Sequence, residues 1–184
     1  RWAQKRSHRR AWGHIRGSNV VSSIVESASN MELNALTLYA FSTENWSRPK
    51  EEVSTLFKLL YKFLKKERSH IKENNIQFKV IGNISKLESD VQELIKSVES
   101  ESENATGLKL SFAFSYGGRQ EILDSVNNYI KKNPGKEITE DLLSQNLYRP
   151  EIGDVDLMIR TAGDQRISNF LLWQASYSEL FFTD

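Results

Sequence analysis

The sequence predicts an α/β fold, with a largely parallel central sheet flanked by helices. Two observations predict it. Short apolar runs of strand length alternate with longer stretches whose apolar residues recur every three or four positions. The runs also lead into polar turns, several with glycine or arginine, before the next helix begins. The resulting order, α-β-α-β-α-β-α-α-β-α-β, is that of strands running one way with helices on both faces. No repeat or low-complexity linker interrupts the 184 residues, so a single domain over residues 1–184 is expected.

The elements follow in order. Residues 1–16 are basic and aromatic, with Arg1, Trp2, Arg10, Trp12, His14 and Arg16 among them. They read either as a solvated arm or as an anion-binding loop with stacking aromatics, where Gly13 and Gly17 let the backbone curl around a phosphate. From Ser18 to Ser29, Val21, Ile24, Val25 and Ala28 keep helical spacing. A strand is expected over Ala35–Phe41, then a polar knot of Ser42, Thr43, Glu44, Asn45, Trp46 and Arg48. Pro49 suits the first turn of a helix, and Glu51 and Glu52 suit its positive end. The stripe Val53, Leu56, Phe57, Leu60 and Leu64 carries that helix to about Asn74. It is long for a small domain, roughly 39 Å at 1.5 Å per residue.

Ile76–Gly82 alternates as a strand, and Leu87, Val91, Leu94, Ile95 and Val98 mark a helix ending in the polar run Glu99–Asn104. Leu108–Ser115 is a further strand, turned by Tyr116-Gly-Gly-Arg119 into a helix with Ile122, Leu123, Val126 and Ile130. Thr139 caps a short helix to about Leu147. Val155–Ile159 is a strand ending at Arg160, followed by a polar loop to Asn169, a short helix over Phe170–Gln174 and a strand over Glu179–Phe182.

Bulk properties exclude several functions. A net charge of +1, from 25 basic and 24 acidic residues, gives no global field for nucleic acid, so any anion site must be local. The absence of cysteine removes disulfides, thiolate nucleophiles and Cys-bound zinc. No apolar run reaches the roughly 18–20 residues of a spanning helix. No signal peptide is evident, so a cytoplasmic protein is expected. There is no phosphate loop of the Walker type, no dinucleotide fingerprint and no nucleophile elbow.

In parallel sheets ligands sit beyond the carboxyl ends of strands. There the sequence places Ser42–Arg48, Tyr116–Arg119 and Arg160–Ser168. An arginine fork matches phosphate oxygens in two-point fashion, so Arg160, Arg166 and Ser168 read as a diphosphate clamp. Asp164, Glu179 and Asp184 lie near it in sequence, and carboxylates with phosphate oxygens are what Mg²⁺ prefers.

At these residues the chain resembles the cis-prenyltransferases. The resemblance is carried by Ala40-Phe-Ser-Thr-Glu-Asn-Trp-Ser-Arg-Pro49, Tyr116-Gly-Gly-Arg119, Arg160–Gln174 and Glu179–Asp184, in collinear order. It implies a Mg²⁺-dependent, homodimeric enzyme. Such an enzyme extends farnesyl diphosphate with isopentenyl diphosphate units, forming cis double bonds, and makes the carrier lipid undecaprenyl diphosphate. A parallel sheet and a hydrophobic tunnel come with it, the long helix forming one tunnel wall. It also implies a cytoplasmic place, peripheral to the inner face of the membrane, with transient contact as product leaves and no nucleic-acid partner.

Residue by residue, the resemblance assigns Arg1, Trp2, Arg10 and His14 to the allylic diphosphate, together with Ser42, Thr43, Glu44, Trp46 and Arg48. It assigns Asn45 to catalysis, as part of a loop that assists proton removal. Arg160, Arg166, Ile167 and Ser168 hold isopentenyl diphosphate, and Glu179 is a Mg²⁺-linked carboxylate. Two features depart from the pattern. The family's Asp-Gly-Asn-Gly, with its metal-binding Asp and the strand carrying it, would stand before Arg1. The chain also stops at Asp184, where the family continues. The alternatives are a relative of different product length, a non-catalytic partner of the same fold, and, from composition alone, a nucleic-acid or membrane-surface binder using residues 1–16.

Overall fold

The structure, a computed structural model, describes residues 3, 6–8 and 10–184, without the side chains of residues 10, 11 and 14. The roles expected for Arg1, Trp2 and the side chains of Arg10 and His14 therefore lie outside the described residues. The chain forms two compact units, Arg1–Ser115 and Tyr116–Asp184.

The first unit contains α1 (Arg10–Asn30), β1 (Ala35–Ser42), a 3-10 turn (Thr43–Ser47), α2 (Lys50–Glu73), β2 (Gln77–Ile81), α3 (Ser89–Glu101) and most of β3 (Lys109–Tyr116). Its sheet has the order β1-β3-β2. β2 and β3 run parallel, with Phe78 opposite Leu110 and Val80 opposite Phe112. As the middle strand, β3 is buried at every residue after Lys109, which is why it reads as an almost unbroken apolar run. The stripe on α2 buries Val53, Leu60, Leu64 and Ile71. These pack with Ile76, Ile95, Val98 and Leu110 in one core cluster, each large side chain contributing about 1.5–3 kcal/mol by leaving water.

The polar C-terminal end of α3, with its cap Ser102, closes an edge of this sheet. The Phe78 N–H donates to Ser102 Oγ at 3.0 Å, and the Val80 N–H to Glu99 Oε1 at 2.7 Å. Backbone donors that would template another strand are thus satisfied by side chains. At the exit of β2, Gly82 has φ +107, and a Cβ there would lie 2.3 Å from the Phe114 carbonyl oxygen. Only glycine fits that crossing.

Two expectations are corrected here. Residues 10–17 are the first turns of α1 and not a loop, so Gly13 and Gly17 are helical. Within α1 the inward face is Val21, Val25 and Ala28, while Ile24 is exposed. Ala3 lies under Gly13, whose Cβ would come 3.2 Å from that of Ala3.

The second unit contains α4 (Gly118–Lys132), α5 (Glu140–Gln145), a 3-10 turn (Pro150–Ile152), β4 (Leu157–Arg160) and β5 (Glu179–Phe182). β4 and β5 form a two-stranded parallel sheet, with Arg160 opposite Phe182. The expected cap is present, since Thr139 Oγ1 accepts the Leu142 N–H at 3.3 Å.

α4 buries a face other than the apolar one expected. Leu123 and Ile130 are exposed, while Gly118, Glu121, Ser125 and Tyr129 are buried. The reason is polar satisfaction. The Glu121 carboxylate accepts from the Tyr116 hydroxyl, the Tyr148 N–H and Gln174 Nε2, so burying it is no penalty. Phe170–Gln174 is a series of turns and not a helix. Ser168, Asn169 and Leu171 have φ of +51, +60 and +44, which break helical geometry. Among the described residues no helix is long and apolar enough to cross a membrane.

Candidate active site

In the first unit three strand exits meet at Ser115. The polar knot after β1 winds into the 3-10 turn, and Trp46 Nε1 donates to Ser115 Oγ at 2.9 Å. The loop after β2 arrives through Asn83, whose N–H donates to the Ser115 carbonyl at 3.2 Å. Ser115 itself has φ +49, an unusual backbone state for a serine at a strand end.

The Trp46 ring rests edge-on against Phe41 and Phe57, at centroid distances of 5.1 and 5.5 Å, and Phe41 stacks on Phe114 at 5.2 Å. Lys86 Nζ lies 5.2 Å from the Trp46 centroid, a cation–π distance. Trp46 is thereby fixed by a hydrogen bond, an aromatic floor and a cation. Neither Ser115 nor Lys86 was singled out in the sequence. A serine closing a buried apolar strand is the one signal that would have pointed to Ser115.

Asn45 has a defined orientation. Its Oδ1 accepts the Ser42 N–H at 3.3 Å, and its carbonyl accepts the Arg48 N–H at 3.1 Å. An amide whose oxygen is tied to the backbone presents its Nδ2 as a donor. Arg48 donates to Glu52 at 2.8 Å across the start of α2. Ser42, Thr43, Glu44, Asn45, Trp46 and Arg48 therefore share one short turn, as expected.

In the second unit the clamp assembles at the end of β4. Arg160 Nη1 donates to Ser168 Oγ at 2.6 Å and to the Arg166 carbonyl. Arg160 Nη2 and Arg166 Nη2 both reach Asp164 Oδ2, at 3.1 and 3.3 Å. Two guanidinium groups thus share one carboxylate oxygen, the kind of charge-assisted contact that arginine also makes with phosphate oxygens. Ile167, between Arg166 and Ser168 in sequence, is half-buried. The Thr183 N–H donates to the Arg160 carbonyl and the Gly163 N–H to the Thr183 carbonyl, tying the end of β5 to the same loop.

The expected carboxylate cluster is not assembled. Asp164 is engaged by the two arginines, and Glu179 is exposed at the start of β5. Among the described residues no three His, Asp or Glu side chains stand close enough to hold a metal ion.

The family model described as "Putative undecaprenyl diphosphate synthase" matches residues 1–184. The chain belongs to this prenyltransferase family. An isoprenyl transferase from Fusobacterium nucleatum is 47% identical over 185 residues, spanning 100% of this chain and 79% of that protein. The ditrans,polycis-undecaprenyl-diphosphate synthase of Escherichia coli K12, (2E,6E)-farnesyl-diphosphate specific, is 43% identical and matches 100% of this chain and 75% of its own length.

Solved structures agree. A probable undecaprenyl diphosphate synthase from Campylobacter jejuni has a TM-score of 0.84 at 39% identity, covering 92% of this chain and 81% of that one. Lavandulyl diphosphate synthase from Lavandula x intermedia, in complex with dimethylallyl diphosphate, has a TM-score of 0.89 at 32% identity, covering 99% and 81%. The protein is a prenyltransferase of the undecaprenyl diphosphate synthase type, with the α/β architecture of cis-prenyltransferases.

Proposed function

We propose that this prenyltransferase extends farnesyl diphosphate by successive isopentenyl diphosphate units, each leaving a cis double bond, to make undecaprenyl diphosphate, the carrier lipid of cell-wall synthesis. The observation that carries the reading is the convergence of Arg160, Arg166 and Ser168 at the end of β4. A diphosphate can take the place that Asp164 Oδ2 holds between the two guanidinium groups, with two-point bonds of the kind arginine makes best. The relative solved with dimethylallyl diphosphate supports an allylic diphosphate as the second substrate.

In each cycle the allylic carbon–oxygen bond breaks, diphosphate leaves with the electron pair, a carbon–carbon bond forms to the isopentenyl alkene, and the proton lost from that unit passes to an oxygen of the released diphosphate. The clamp holds the alkene by its diphosphate end. In the first unit Trp46, Phe41 and Phe57 pack edge-on as an apolar cluster beside the turn, a surface suited to an isoprenoid chain. Asn45 cannot itself take a proton. Its Nδ2 is a donor that orients diphosphate oxygens in this turn, beside Arg48 and Ser42.

Mg²⁺ dependence belongs to the proposal. Glu179 is the carboxylate of this chain that would hold the ion, which would stabilise the departing diphosphate. Homodimerisation and transient contact with a membrane surface belong to it too. The exposed face of Leu157, Ile159 and Phe181 on β4 and β5 is compatible with cover by further protein.

Product analysis tests the reading. The full-length protein receives farnesyl and isopentenyl diphosphates with and without Mg²⁺, and products are resolved by chain length. Mg²⁺-dependent products centred on C55 are expected. A shorter or longer ladder keeps the chemistry and changes the physiological role. A folded protein that elongates nothing overturns the proposal in favour of a non-catalytic partner.

A further inference from the structure

The clamp loop is docked on the start of α4 by Asn169, the residue after Ser168. The Asn169 carbonyl accepts the Gly118 N–H at 2.8 Å, and Asn169 Oδ1 accepts the Arg119 N–H at 3.0 Å. These are the first two donors of a 15-residue helix, groups that have no partner within it. Asn169 thus caps α4 from 50 residues away.

The contact is close. A Cβ on Gly118 would stand 2.8 Å from Leu172 Cγ and 2.9 Å from the Leu172 nitrogen, so only glycine lets the loop approach. Two residues further on, Gln174 Nε2 reaches the buried Glu121 in the first turn of α4. On its other side Asn169 is bonded directly to Ser168, whose Oγ accepts from Arg160. Ser168 and Asn169 both sit at positive φ, so neither holds its place by backbone preference.

We propose that Asn169 is a positioning residue for the diphosphate clamp: by capping α4 it fixes Ser168, and through it the Arg160 guanidinium, at the isopentenyl diphosphate subsite. The proposal rests on the reading of that subsite given above. Asparagine suits the task chemically, because it tolerates the left-handed backbone and carries an acceptor.

The test uses three variants of the full-length protein. Asn169→Gly keeps the backbone conformation and loses the acceptor, Asn169→Ala loses both, and Asn169→Asp keeps an acceptor and adds a charge that suits a helix N-terminus. The Gly and Ala variants are expected to raise the KM for isopentenyl diphosphate about tenfold, the loss of one good cap, with the KM for farnesyl diphosphate unchanged. Asn169→Asp restores it to within about threefold. Ser144→Ala, which removes the partner of the Trp173 indole N–H, serves as a stability control that lowers Tm without moving the ratio of the two KM values.

Equal changes in both KM values, or a Gly variant indistinguishable from wild type, overturn the proposal. Binding of inorganic pyrophosphate, measured by calorimetry, separates this failure from failure of the functional reading. If wild type elongates nothing yet binds pyrophosphate in an Arg166-dependent way, weaker binding by Asn169→Gly sustains the positioning role. Unchanged binding removes it. Absence of any Arg166-dependent pyrophosphate binding overturns both readings.

Discussion

Trp46 donates its indole N–H to Ser115 Oγ across 2.9 Å, although the two residues are 69 positions apart. That bond ties the turn carrying Asn45 and Arg48 to the end of the central strand. Ser115→Ala leaves the indole donor without its partner in a half-buried place, and loses about 1–3 kcal/mol. Denaturant unfolding followed by tryptophan fluorescence measures it. A stability equal to wild type would show that the turn is held by the aromatic floor alone.

Arg160 and Arg166 meet on one oxygen of Asp164 but are not equivalent. The Arg166 side chain is 60% exposed and among the described residues bonds Asp164, whereas Arg160 is 25% exposed and also holds Ser168 and the Arg166 carbonyl. Arg166→Ala is expected to weaken isopentenyl diphosphate by about 1.5–3 kcal/mol, roughly ten- to a hundredfold in KM, with little effect on farnesyl diphosphate. Arg160→Ala matches that loss and also lowers Tm. Steady-state kinetics with each substrate varied in turn decides the matter, and equal weakening of both substrates speaks against the clamp.

Gly82 crosses β3 where no side chain fits. Gly82→Ala combines a strained φ with a 2.3 Å approach to the Phe114 carbonyl and is expected to cost about 2–4 kcal/mol. A thermal melt within a degree or two of wild type would mean that the exit of β2 relaxes freely.

Glu67 is a buried carboxylate on α2, bonded by the Ser22 hydroxyl of α1 at 2.8 Å. Burial pushes its pKa up, but hydrogen bonds from Ser22 and Lys66 and the charges of Lys66 and His70 outweigh that and hold it below the ordinary 4.5. A depressed carboxylate stabilises the fold fully above its ordinary value, and that contribution is lost as pH falls through the lower folded value. Glu67→Gln forgoes it. The Tm gap between wild type and variant is therefore widest near neutral pH and closes in acid. A gap that stays constant into strong acid contradicts this account.

Much of the fold was legible because periodicity is local. The alternation of apolar runs and helical stripes named every strand, and the apolar face of α2 was read correctly as far as Leu64. α4 shows the limit. Its apolar residues predicted one buried face, yet the buried face holds Glu121 and Ser125. The partners that make this possible, Tyr148 and Gln174, lie 27 and 53 residues further along the chain, and no local pattern encodes them. Residues 10–17 show a second limit, since two glycines and a run of charges suggested a loop where α1 in fact begins.

The candidate site divides in the same way. Arg160, Arg166 and Ser168 could be named because arginines in a loop after a strand carry chemical meaning by type and spacing. Asn169 could not, because capping the helix 50 residues earlier depends on where the loop lands.

The sequence by itself determined the strands, the parallel α/β architecture and the residue types able to grip diphosphate, because hydrophobic period and side-chain chemistry are written in each short stretch. Only the tertiary structure decided that Ser115 anchors Trp46, that Asp164 stands between the two arginines and that the clamp loop leans on α4. The first and the last depend on donors and acceptors finding partners 69 and 50 residues away, and the second on how the loop after β4 folds back on itself; none is written in a local hydrophobic pattern.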